Sequence, residues 1–148
     1  MDRLVPEIPP ADQIRQRALV SELIGYAQRV RDASPAELEA LRADARTAAS
    51  VSPAAADQIR LAILLGLAPE PVRDESRARA LLAEVTETGS GAGGEVRALA
   101  GLLDATLAER IALRRACDAA TAAERRRRQA AEQQLEELKA IEEQLNLR

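Results

Sequence analysis

Residues Glu95–Arg148 read EVRALAGLLDATLAERIALRRACDAATAAERRRRQAAEQQLEELKAIEEQLNLR, a stretch with no proline and one glycine, Gly101. Nothing in it stops a helix. At 1.5 Å per residue such a run makes a rod of roughly 80 Å, far more helix than a 148-residue chain needs for its own core. A periodic helix of this length without internal caps is the mark of a coiled coil or of an arm that meets another molecule. The stretch divides in three. Val96, Leu99, Leu102, Leu103, Leu107 and Ile111 supply enough apolar surface to pack on a body. From about Arg114 to Ala131 the stripe holds only Cys117 and small residues. Leu135, Leu138, Ile141 and Leu145 then restore an apolar seam at helical spacing. The expected layout is a first third packed on a bundle and a remainder that projects.

The rest of the chain points to the same class. Apolar residues make up 47%, mostly alanine and leucine, with no Phe or Trp and one aromatic, Tyr26. Alanine and leucine favour helices, whereas the β-branched and aromatic residues that strands prefer are scarce. The fold expected is all-α: short antiparallel helices over 11–94, resembling tetratricopeptide hairpins in layout, then one long coiled-coil-type helix over 95–148. No 34-residue repeat signature accompanies that analogy.

Local signals set the boundaries. Three prolines within 6–10 make the first ten residues an extended leader. Leu19, Leu23, Tyr26 and Val30 line one face of a helix from Ala11 to about Asp32, in which Gly25 leaves room for a close neighbour. Ser34-Pro35-Ala36-Glu37 is a capping box with proline at the first helical position. The second helix carries Leu38, Leu41 and Ala45 toward about Val51, and Ser52-Pro53 restarts the pattern. Leu61-Ala62-Ile63-Leu64-Leu65 is the most apolar run and the expected centre of the core, closed by Gly66 and Pro69-Glu70-Pro71. Asp74 opens a fourth helix with Ala78, Leu81, Leu82 and Val85 inward. Thr86–Gly94 is a loop by composition.

The missing residue types restrict chemistry. Without histidine there is no imidazole base, ligand or relay, and one cysteine makes neither an internal disulfide nor a zinc cluster. No catalytic residues, metal ligands or cofactor site are expected. The net charge of −3 recruits neither nucleic acid nor an anionic membrane. Arg125–Arg128 could contact phosphates, but four consecutive helical residues sweep the whole circumference. Glu124 and Glu132 lie four residues either side of Arg128, and Glu95–Arg148 holds ten acids and ten bases. A solvated, salt-laced face is the expectation, with no nucleic-acid partner. Cys117 reads as a small seam residue, and the glutamates of 132–143 as solvated.

The closing segment, Leu135 to Arg148, resembles the end of the long helix in the QseG (YfhG) family of outer-membrane lipoproteins, which runs L-E-x-L-x-x-I-E-R-Q-L-x-x-R. Leu135, Glu136, Leu138, Ile141, Glu142, Gln144, Leu145 and Arg148 match; Glu143 stands where the family has a basic residue. Ile63-Leu64-Leu65 followed by Arg77, Arg79, Leu81 and Leu82, and then Val96-Arg97-Ala98-Leu99 with Leu102, are similar in the same order. The likeness covers roughly 58–148. There is no lipobox cysteine, and the extra cysteines and tryptophans of enteric members are absent. The resemblance implies a non-catalytic signalling adaptor on the periplasmic face of the outer membrane, lipid-anchored ahead of Met1. It would activate the sensor histidine kinase QseE, which controls the regulator QseF. Leu135, Leu138, Ile141, Glu142, Leu145 and Arg148 would then form the surface for the kinase's periplasmic domain or for a second copy of the chain. The alternative is a coiled-coil or helical-repeat scaffold unrelated to two-component signalling.

Overall fold

A computed structural model describes residues 10–87 and 93–148. It is all-helical there, with no strand among the described residues: α1 (Pro10–Asp32), α2 (Pro35–Val51), α3 (Ala55–Leu67), α4 (Glu75–Glu87) and α5 (Gly94–Asn146). The chain divides into two compact units, Met1–Glu109 and Arg110–Arg148. The leader expected over 1–10 lies outside the described residues except for Pro10, which already opens α1.

The helix starts follow local chemistry. At α2 the Ser34 hydroxyl accepts from the Glu37 N–H at 3.3 Å, and the Glu37 carboxylate accepts from the Ser34 N–H at 3.2 Å. The two bonds satisfy donors that a bare helix end leaves open. Asp74 does the same for α4, its carboxylate accepting from the Arg77 N–H at 3.1 Å. The Ser52-Pro53 restart differs from expectation. Ala54 stands at the N-cap of α3 without a side-chain bond, because the Ser52 hydroxyl is taken by the Ala54 N–H at 3.2 Å. Thr86 and Glu87 belong to α4 and Gly94 to α5, so the connection is shorter than its composition indicated.

The first unit is organised around α3, which packs against α1, α2 and α4. Eight of its thirteen residues are buried, including Ile59 and the Leu61–Leu65 run. A helix apolar on nearly every side needs neighbours all round. Leu23, Tyr26 and Val30 of α1, Leu38 and Ala45 of α2, and Ala78, Leu81, Leu82 and Val85 of α4 close over it. Ala68 caps α3, and the Arg73 guanidinium donates to its carbonyl at 3.2 Å, a favourable place for positive charge. The Asp74 N–H reaches back to the Leu65 carbonyl at 2.8 Å, closing the turn.

The beginning of α5 belongs to the same core. Val96, Ala100 and Leu107 are buried, with Leu99 and Leu103 packed beside them. Leu102 is a correction: it is 65% exposed, one residue and so about 100° of arc from Leu103. Polar ties reinforce the docking: Arg79 Nε donates to the Asp104 carboxylate at 2.8 Å, and the Glu95 N–H donates to Gln16 at 3.3 Å. Gly66 is the penultimate residue of α3. A Cβ there would stand 2.9 Å from Leu107 Cδ1, so the missing side chain is what admits Leu107. Gly25, expected to admit a neighbour, faces nothing within 4 Å.

Candidate functional site

Leu135, Leu138, Ile141 and Leu145 all lie on α5 in the second unit and are 57%, 62%, 54% and 66% exposed. Their backbone conformation follows from composition, since alanine, leucine, glutamate, glutamine, lysine and arginine are the best helix formers. At about 100° per residue the four side chains fall within an arc of roughly 120°, so one stripe collects them. Glu142 lies on the Leu135 side of that stripe. Arg148 lies two residues beyond the last helical residue, Asn146, and its N–H reaches the Leu145 carbonyl at 3.4 Å. Both are exposed. Five of the six sequence-predicted residues thus share one side of α5, and Arg148 lies beyond the helix end.

Extending the stripe toward the start of the second unit finds a residue that sequence reading passed over. Leu113 is 68% exposed and falls on the same arc, followed by the exposed Cys117 and Ala120 and then Ala131. The signal was available by projecting the seam backward at the helical angle, but the neighbouring Ile111 drew attention to a different face. Leu147 is 86% exposed and lies off the stripe. Arg127 interrupts the arc, its Nη1 standing 4.0 Å from the Glu124 carboxylate. The pairs expected at steps of four around Arg128 are not formed among the described residues; the one closed is this step of three. Arg126 Nε turns inward to the Ala122 carbonyl at 3.4 Å. The four-arginine run thus fans around the helix without a focused face.

Such a stripe can bind by apolar burial, with charged residues on either flank to set register and orientation. Among the described residues, no group of three or more carboxylate or thiol side chains is placed to hold a metal ion. No helix there is long and apolar enough to cross a membrane. No family model, curated protein or solved structure matches the chain.

Proposed function

We propose that this chain is a non-catalytic adaptor that captures an amphipathic helix of a partner protein along the stripe Leu135, Leu138, Ile141 and Leu145, with Glu142 and Arg148 at its margins. The observation that supports this reading is the exposure of four large aliphatic side chains at helical spacing in the unit that has no core of its own. Burying one such side chain fully is worth about 1.5–3 kcal/mol, so even partial cover by a partner gives a measurable affinity. The flanks are mainly acidic, with Glu136, Glu137, Glu142 and Glu143 against Lys139, and a partner helix with lysine or arginine at its margins fits them.

The resemblance to the QseG family gives the proposal a partner: the periplasmic domain of a QseE-like sensor histidine kinase, met by a lipid-anchored protein at the outer membrane. Binding one kinase state more tightly than another shifts the kinase population by that difference in affinity. In this reading the short helices of the first unit pair in a tetratricopeptide-like manner and act as a rigid base.

Calorimetry against that periplasmic domain, with Leu138→Ser/Ile141→Ser as the variant, tests the proposal. The expected result is at least tenfold weaker binding, about 1.4 kcal/mol, with an unchanged melting midpoint. Normal binding by the variant moves the recognition surface elsewhere. If light scattering shows only self-association, broken by the same variant, the scaffold reading replaces the adaptor. Loss of folding would mean that the stripe is core.

A further inference from the structure

Away from the stripe, two pairs of arginines converge on one cleft of the first unit. Arg42 and Arg46 sit four residues apart on α2, and Arg73 and Arg77 four residues apart across the start of α4. All four line a cleft of about 330 Å³ whose floor includes the buried Leu61 and Leu65 of α3. Against four arginines the lining holds one acid, Asp74 (4 − 1 = +3), in a protein whose net charge is −3. The Asp74 carboxylate already accepts the Arg77 backbone N–H.

Three neighbouring acids, Glu39, Glu75 and Glu84, bring the local sum to zero, so the cleft is distinguished by where its arginines stand and not by a net charge. Glu39 lies 3.8 Å from Arg42 Nη1, and the buried Glu75 lies 4.0 Å from Arg73 Nε. Glu84 lines the adjoining hollow, which Arg46 and Arg77 share. Among the described residues, however, no carboxylate comes within 4.0 Å of the Arg46 or Arg77 guanidinium. Arg42 Nε is buried and makes no hydrogen bond. Arg42 and Arg46, like charges at a step of four on α2, disfavour that helix by a few tenths of a kcal/mol, and a buried donor left unbonded costs more. Arg46 and Arg77 thus line the cleft with no carboxylate within 4.0 Å, beside an Arg42 whose buried Nε is unbonded.

We propose that this cleft binds a small, multiply charged phosphoryl compound. Guanidinium forks match phosphoryl oxygens two at a time, and an apolar floor strengthens each such contact by excluding water. The volume is at the lower end for ligand pockets, enough for a diphosphate. This site is independent of the stripe on α5, and either proposal can fail alone.

Isothermal titration with inorganic pyrophosphate at physiological ionic strength tests it. The full chain binds with a submillimolar Kd, and Arg46→Gln/Arg77→Gln binds at least tenfold more weakly. Arg125→Gln/Arg126→Gln, with the same change of charge, binds like the parent. Equal binding by all three, or none by the parent, overturns the proposal. If the Arg46/Arg77 variant does not fold, Arg46→Lys replaces it: the charge stays, the fork is lost, and unchanged affinity overturns the site. Vesicles containing phosphatidic acid form the second arm. Sedimentation with them that depends on Arg46 and Arg77, while pyrophosphate stays inert, overturns the soluble ligand in favour of a lipid headgroup.

Discussion

Two glycines of similar appearance in the sequence have opposite roles in the structure. Gly25 sits in the interior of α1 with open space where a Cβ would go, whereas Gly66 faces Leu107 and the Ala78 methyl, which would lie 3.5 Å away. Gly25→Ala should therefore stabilise by about 0.5–1 kcal/mol through helix propensity alone. Gly66→Ala should destabilise by about 1–3 kcal/mol, because Leu107 is buried and has to be displaced. Urea denaturation of the two variants checks the signs. Tyr26 gives a second test. Burial raises its phenol above the ordinary value near 10, opposed by Arg29 and Arg60 and aided by Asp44; the Arg29 guanidinium stacks 5.5 Å from the ring centre. A folded-state value raised above the unfolded one gives stability that is complete below about pH 10 and lost as pH climbs through the folded value. Phenolate absorbance should thus titrate above pH 10, and the melting midpoint should fall over that window. A fall of the midpoint that Tyr26→Phe retains would assign the effect to other groups.

At the scale of elements, legibility depended on whether a signal was local. The starts of α2 and α4 could be read because Ser34, Glu37 and Asp74 act on backbone groups within three residues. The α3 core could be read because Leu61–Leu65 leaves no polar face to expose. Leu102 could not be placed, since a helix rich in leucine offers several apolar stripes and only packing selects Leu99 and Leu103. The arginine cleft was invisible because its two pairs stand about thirty residues apart, whereas the conspicuous Arg125–Arg128 run disperses around α5. The spacing of the stripe was legible because it follows from helix geometry alone. For α5 itself, a peptide of residues 110–148 should be partly helical in water and should melt broadly, since helix propensity without packing gives weak cooperativity. A sharp, concentration-dependent melt by circular dichroism would instead reveal association of the peptide.

Across the molecule, the buried apolar residues among those described run from Leu23 to Leu107, all within the first unit. Cooperativity of unfolding follows burial, so that unit should carry the thermal transition. A chain ending at Glu109 is expected to unfold with the midpoint of the full chain to within a few degrees and to lose only the broad helical signal of 110–148. A large drop in midpoint would show that residues beyond Glu109 contribute to the core. The two proposed surfaces divide the same way. The arginine cleft lies in the cooperative unit and gains rigidity from it, while the stripe lies where folding and binding can be coupled, with the ordering cost of the helix charged against affinity.

The exposed Cys117 is the chain's only thiol, and its place on α5 makes oxidation a ruler of strand direction. Two copies joined in parallel along the stripe would bring their sulfurs level, within the Cα separation of about 4.4–6.8 Å that a disulfide requires. Two copies crossed antiparallel about Leu138 and Ile141 would hold them some 65–70 Å apart (about 45 residues of rise). For a chain that light scattering shows to self-associate, a covalent dimer on a non-reducing gel thus marks the parallel geometry.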